Sequence, residues 1–533
     1  MIDFTRHIIR SEGSPVSGQD LTAPDRYGLK LSAEDAVLTE DVTALFSFEF
    51  RPDDVIFVNG YQSWTYSPER LTGQTDTALK YCPALLRLGL GLAQYGDGHF
   101  NPRKYEKHIH YGYTYAYIRR GEQYILIGSL CEDTGFTRIT FNTAENVIRV
   151  TKDCAGRRIR GEYRALELGF FSGTSDAVFD AWFAAMGIKP LPATPKTGYT
   201  SWYNCYQNIS ESQILRDLDG MAASGQKLDI FQVDDGFETY VGDWLNVNPA
   251  KFPDGMKPIA SAIRDRGLTA GIWLAPFVCE RKSALAAEHP DWILRKPDGK
   301  PVFAGSNWSG AYALDFYNPA VRQYITDCVR HYRDMGFSLF KLDFLYAACM
   351  LPRPERTRGE IMAEAMEFLR EVCSPAEILG CGVPLASAFG RVQYCRIGPD
   401  MSLSYDDKLF MRAFHNERPS TMHTQRNTFY RRQLNGRAFL NDPDVFLLRD
   451  DNTSLTKQQK TTLAAVNALF GSVLFCSDDF GSYDGKKRAW FGQLLDLGKA
   501  RILSCSNKIN GKKHLLEITY VTDGQQQSLS LVI

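Results

Sequence analysis

The sequence predicts a multidomain protein: a central (β/α)8 TIM barrel with an N-terminal β-sandwich before it and a small C-terminal β-module after it. Three observations carry this reading. The chain of 533 residues is too long for a single hydrophobic core. Its first third is strand-like throughout. From Gly198 onward, eight short apolar runs alternate with helical patterns, and each run ends in polar residues.

Residues 1–185 hold "AVLTEDVTALFSFEFRP", "HIHYGYTYAYIRRGEQYILIGSL" and "ENVIRVTKD". These runs are rich in β-branched and aromatic residues, often alternating, with turn residues between them, as in a sandwich. "SDAVFDAWFAAMG" reads as a helix, and "IKPLPATPKTG", with three prolines, marks a boundary. The barrel is expected over 186–483. Its strands are "GYTSWYN", "LDIFQVDD", "AGIWLAPF", "LFKLDFLY", "EILGCGVPL", "YCRIGPD", "AFLNDPD" and "SVLFCSDD". The clearest helix between them is "NPAVRQYITDCVRHYRDMG", where Val321, Tyr324, Ile325, Cys328, Val329 and Tyr332 share one face. Asn318 can cap its start, Pro319 suits its first turn and Gly336 ends it. A doubly wound open sheet is the competitor, but it needs a nucleotide-type loop after its first strand, and "GYTSWYNCYQ" is not one. Residues 484–533 open with a short helix and close on a hairpin around Asp523-Gly524.

Bulk properties narrow the function. The formal net charge is -1, with 23% charged residues, which gives no electrostatic footprint for nucleic acid or an anionic membrane. No apolar run is long enough for a signal peptide or a bilayer span. Twelve scattered cysteines without a Cys-x-x-Cys pair fit reduced, buried thiols, and the expected location is cytoplasmic. Phosphate loops, dinucleotide fingerprints, His-Glu-x-x-His and Gly-x-Ser-x-Gly are all missing, so no cofactor or metal is expected.

The stretch "FSLFKLDFLYAA" places a lysine and an aspartate inside a buried strand. Residues two apart point the same way, so Lys341 and Asp343 would both face the barrel axis at its carboxyl-terminal rim, where such barrels build their sites. Asp400 ends the sixth run, and Asp234 and Asp235 end the second. Arg396 and the aromatics Trp202, Tyr203, Trp273 and Phe344 lie on the same rim. Two facing carboxylates are the minimum equipment of a glycosidase, and aromatics serve as platforms for a sugar's apolar faces. Plainer roles exist for each: Asp234 could cap a helix, and Lys341 could be an ion-pair partner of Asp343. Asp442, Asp444, Asp478 and Asp479 read as caps, turns and support. "WILRKPDGKPVF" reads as a solvated hairpin-like loop.

"FQVDDGFETYVGDW", "AGIWLAPF", "FKLDFLYA", "LGCGVPL" and "RIGPD" occur in an order and spacing that resemble the α-galactosidases of glycoside hydrolase family 36, most of all their shorter bacterial forms. "VNGYQSW" and "LNDPD" extend the likeness over roughly residues 55–480. The resemblance implies a retaining, metal-free double displacement on terminal α-linked galactose. It implies Asp343 as nucleophile and Asp400 as general acid/base, with Lys341 donating to sugar hydroxyls and helping to keep Asp343 ionised. It places Asp234 and Asp235 at the 4- and 6-hydroxyls and Trp273 against the ring. Arg396, Cys381 and Gly382 fall near the 2-hydroxyl, while Trp202, Tyr203 and Phe344 line the pocket. Trp64, from the N-terminal domain, would reach over the mouth.

Where the larger relatives carry a glycine-rich run, this chain has "GCGVPLASAFG", so their tetramer is not carried over. The leading expectation is an exo-acting α-galactosidase on melibiose- or raffinose-type oligosaccharides. The same fold acting on α-N-acetylgalactosaminides or as a transglycosylase is the alternative. A catalytically silent sugar-binding protein is the alternative of another class.

Overall fold

The computed structural model describes residues 2–74, 96, 106–406 and 417–533. Near the N-terminus, two antiparallel sheets face each other. One is five-stranded (Asp3–Ile8, Val42–Ser47, Val147–Lys152, Thr137–Asn142, Ile109–Tyr113), and the other is an eight-stranded sheet built on Arg26–Leu38 and Arg158–Gly173. Alternation drives the pairing: Leu29 and Leu31 from one sheet meet Phe46, Ile139, Phe141 and Val150 from the other in one buried core. The helix Ser175–Met186 follows and ends at Gly187, which takes the left-handed conformation.

The eight expected barrel strands form a single parallel sheet in chain order: Lys196–Thr200, Ile230–Val233, Thr269–Leu274, Leu339–Leu342, Glu377–Gly380, Tyr394–Arg396, Leu440–Asp442 and Val473–Cys476. The first strand pairs with the last. The seventh and eighth are joined more loosely, through Ser472 N–H to the Asn441 carbonyl (2.8 Å) and Phe446 N–H to the Phe475 carbonyl (3.0 Å). The helix Pro319–Met335 forms as its pattern predicts. The Asn318 side chain accepts from Ala320 N–H, Gly336 takes φ 108°, and Val321, Ile325, Cys328, Val329 and Tyr332 are buried.

The repeat is not uniform. Between the fifth and sixth strands only the single turn Leu385–Ala388 fits, because the connecting segment is too short for a full helix. After the third strand the chain makes a long excursion before Pro319. That excursion carries its own three-stranded antiparallel sheet (Val278–Glu280, Phe303–Gly305, Ala311–Ala313). The helix Gly485–Leu497 and three antiparallel strands complete the chain. Their second hairpin turns at Asp523 and Gly524, both at positive φ (49° and 74°).

Arg431, fully buried, fixes the N-terminal sandwich to the barrel. Its guanidinium donates to the Asn59 side chain, to the Ser63 and Gln62 carbonyls, to Ser67 Oγ and to the barrel carbonyl of Ile397. Ser63 N–H donates to the Val383 carbonyl (2.9 Å). The loop carrying Trp64 is therefore bonded directly to the barrel rim. Among the described residues, no helix is long and apolar enough to cross a membrane.

Candidate active site

The floor of the site is made by the ends of three barrel strands. Lys341 points inward from Leu339–Leu342, and its ammonium donates to Asp234 Oδ2 at 2.8 Å. Asp234 also accepts from Gln232 Nε2 (2.7 Å) and Thr200 Oγ1 (3.3 Å), and its other oxygen accepts from Asp235 N–H (3.0 Å). Lys341 is thus the ion-pair partner of Asp234 and not of Asp343, because the second and fourth strands lie one strand apart across the narrow barrel. Burial opposes the ammonium charge, but Asp234 and Asp343 outweigh it and hold the lysine pKa above its ordinary value.

Asp343 follows Lys341 by two residues. Its Oδ2 accepts from Trp273 Nε1 (3.1 Å), and its Oδ1 accepts from Phe344 N–H (2.8 Å). Phe344 holds a left-handed backbone (φ 53°), strain of the kind that accumulates at functional turns. Burial raises the Asp343 pKa, the Lys341 charge works against that rise, and the Asp400 charge adds to it. Lys341 therefore favours the carboxylate, as expected, but burial prevails. The Cys381 thiol is raised by burial first and then by Asp343. It accepts from Trp64 Nε1 (3.2 Å) and is itself in hydrogen-bond contact with Asp343.

Asp400 faces the floor from the end of the sixth strand and is 39% exposed at its side chain. Arg396 holds it (Nη1 to Oδ1, 2.9 Å) while also pairing with Asp442 (3.1 Å) and Asp444 (2.8 Å). Each of the three Arg396 nitrogens faces one of these carboxylates, and the residue does not line the cavity. Tyr203 is likewise not a wall residue: its hydroxyl donates to Asp444 (2.6 Å), and its ring is buried behind the wall. Burial raises Asp444 to about 6, against the Arg396 charge.

These groups surround a cavity of about 240 Å³ lined by Trp64, Trp202, Asp234, Asp235, Trp273, Lys341, Asp343, Phe344 and Asp400, together with Ser306, Asn307, Trp308, Glu417 and Pro419. Cys381 and Gly382 stand just behind it. Gly382 (φ 56°) admits no Cβ, which would meet Trp64 Cζ2 at 2.9 Å, so the indole can lie against the rim. The Trp64 ring packs edge-on to Phe344 at 5.1 Å.

Sequence reasoning missed Ser306, Asn307, Trp308, Glu417 and Pro419. Trp308 comes from the excursion after the third strand; its Nε1 donates to Asp235 Oδ2 (2.8 Å), and its ring leans on Phe344 (5.1 Å). The signal was the length of that excursion, since long connections in compact barrels are commonly functional. Among the described residues, no group of three or more His, Cys, Asp or Glu is placed to share a metal ion.

Comparison with known proteins places this geometry. The family model described as melibiase matches residues 199–346, from the first barrel strand past Asp343. The fold superposes on TtGalA, an α-galactosidase from Thermus thermophilus solved with stachyose, with TM-score 0.73 and 28% identity over 92% of this chain and 99% of that one. TtGalA in complex with p-nitrophenyl α-D-galactopyranoside matches over 96% of this chain at 26% identity. The family 36 α-galactosidase AgaA from Geobacillus stearothermophilus shares the fold, with TM-score 0.59 and 11% identity over 98% of this chain and 80% of that one. A relative described as an A type blood α-D-galactosamine galactosaminidase, from Flavonifractor plautii, is 33% identical over 206 residues, 36% of this chain and 19% of its own length. The curated AgaA sequence aligns over 18% of its length. The chain thus spans about a fifth of these curated relatives.

Proposed function

We propose that the chain is a family 36 glycoside hydrolase of the melibiase type, an exo-acting, retaining α-galactosidase on galactosides of the melibiose and raffinose type. The observation that carries the reading is one small cavity bounded by Asp343 and Asp400 and floored by the Lys341–Asp234 pair.

In this reading Asp343 attacks the anomeric carbon, and Asp400 protonates the departing oxygen. Water then enters, with Asp400 as base, and releases galactose with its configuration retained, a course that calls for two carboxyl groups about 5–5.5 Å apart. Trp273 and Phe344 N–H hold Asp343 in one orientation, which limits the reorganisation needed at attack. The Lys341 cation lies beside Asp343 and favours its carboxylate form against burial. Asp400 is the more exposed carboxylate, which suits a group that must meet both leaving group and water. Asp234 and Asp235 accept from the sugar's 4- and 6-hydroxyls, and an axial 4-hydroxyl is what separates galactose from glucose. The aromatic walls take the ring's apolar faces. The eleven described cysteines are all thiols, which fits a reducing compartment such as the cytoplasm.

The likeness to a galactosaminidase favours a second reading, in which a 2-amino or 2-acetamido sugar occupies the same cavity. Hydrolysis of nitrophenyl α-galactoside, α-glucoside and α-N-acetylgalactosaminide separates the two. Turnover confined to the galactoside is expected. Preference for the acetamido sugar moves the specificity and keeps the chemistry. No turnover on any of the three, with galactose still bound in calorimetry, leaves a sugar-binding protein.

A further inference from the structure

Three carboxyl groups cluster where the second barrel strand ends, and only one has a cation. Asp234 is paired with Lys341. Asp235 and Glu238 are 3% and 5% exposed, they are in hydrogen-bond contact with each other, and no ion pair joins either to a described cation. The turn that unites them is forced by packing. Gly236 takes φ 117°, and a Cβ there would strike the Gln207 carbonyl oxygen at 2.7 Å. The chain then curls so that Glu238 returns beneath Asp235, with Gly236 N–H donating to Glu238 Oε2 at 3.3 Å.

Two buried carboxylates in contact cannot both carry charge, so the pair holds a proton. Donors from two other elements already fix Asp235 as an acceptor: Gln207 Nε2 (3.1 Å to Oδ2) after the first strand, and Trp308 Nε1 (2.8 Å) from the excursion after the third. The proton therefore belongs on Glu238. Burial and the Asp235 charge both push its pKa well above the ordinary carboxylate range. The other titratable groups facing it are neutral or engaged elsewhere. Tyr332 is itself raised by burial and donates to the Trp244 carbonyl, while Lys251 donates to the Gly236 and Gln207 carbonyls.

We propose that Glu238 is a positioning residue for sugar recognition: its carboxyl donates a hydrogen bond to Asp235 and holds that side chain as an oriented acceptor for a galactose hydroxyl. A carboxylate offers roughly four acceptor sites, so Gln207, Trp308 and Glu238 leave about one on a side chain that lines the cavity. This role rests on the α-galactosidase reading above.

The test measures galactose binding by calorimetry and kcat and KM for nitrophenyl α-galactoside, from pH 5 to 9, for wild type, Glu238→Gln and Glu238→Ala. An amide N–H can replace the donated proton but cannot ionise. Glu238→Gln is therefore expected to bind galactose within about threefold of wild type at pH 6 and to lose the wild-type weakening of binding at alkaline pH. Glu238→Ala is expected to raise KM and Kd about tenfold or more, the loss of one hydrogen bond to a charged group, with a smaller change in kcat. An alkaline limb in Glu238→Gln identical to that of wild type overturns the proposal, whether or not Glu238→Ala folds. A folded Glu238→Gln as weak as Glu238→Ala also overturns it. Wild type that neither binds nor cleaves the galactoside overturns the functional reading instead.

Discussion

The floor and the wall of this cavity are built by different means. Asp234, Asp235, Lys341, Asp343 and Asp400 stand at or just past the ends of barrel strands, and the parallel ladder sets the backbone from which they project. Trp64, Trp308, Glu417 and Pro419 reach the same cavity from the N-terminal sandwich, from an excursion after the third strand and from the segment before the helix Thr421–Tyr430. A strand end is fixed by backbone bonds along its whole length. A wall residue is fixed by docking, as Trp64 is by the Arg431 clamp and its bond to Cys381. The strand ends should therefore govern the chemistry and the reading of the sugar's hydroxyls, and the wall should govern how tightly the sugar is held.

The sharpest way to break this division is at the floor. Asp343→Ala is expected to lower turnover by about 10³-fold or more at full folding, with partial rescue by azide on an activated aryl galactoside. Unchanged turnover would remove Asp343 from the nucleophile's place. Asp400→Ala is expected to lose about 10²- to 10⁴-fold on natural oligosaccharides, the worth of a general acid, and far less on aryl substrates whose leaving groups need no proton. Equal losses on both substrate types would count against an acid role.

The wall should answer differently. Trp308→Phe keeps a ring against Phe344 but removes the N–H that donates to Asp235. KM is expected to rise about tenfold with kcat changed much less, since one hydrogen bond to a charged acceptor is lost. A fall in kcat matching the rise in KM would make Trp308 part of the chemistry and blur the distinction.

The same division explains what the sequence disclosed. The eight strands were legible because each is a short apolar run between turn signals, and the floor followed, since alternation within "FKLDF" assigns Lys341 and Asp343 to one side. The partner of Lys341 was not legible. Whether a buried lysine meets a carboxylate on its own strand or across the barrel depends on strand tilt, and Asp234 proved to be the acceptor. Arg396 and Tyr203 read as rim residues because their strands end there, but Arg396 pairs with Asp442 and Asp444 and Tyr203 bonds Asp444, and neither lines the cavity. Trp308 was hidden because the bond from an excursion to Asp235 leaves no periodicity to read.

The smallest expected effect is on stability. Burial raises the Asp343 pKa, so the folded protein binds that proton more tightly than the unfolded chain does. The stability that the protonated form contributes is fully present below the unfolded aspartate pKa and is lost as pH rises through the folded one. Wherever Asp343 is ionised, the floor holds a charge that the empty protein would fold better without. Asp343→Asn is expected to gain about 1 kcal/mol near pH 7 and to flatten the fall in melting midpoint as pH rises from 4 to 8, while abolishing turnover. Its amide can still accept from Trp273 or from Phe344 N–H, so packing is kept. Melting curves of the two proteins across that range decide the matter. Equal slopes would mean that Lys341 fully offsets the charge; a flatter slope would mean that stability is given up at the floor to keep an ionisable carboxyl beside the sugar.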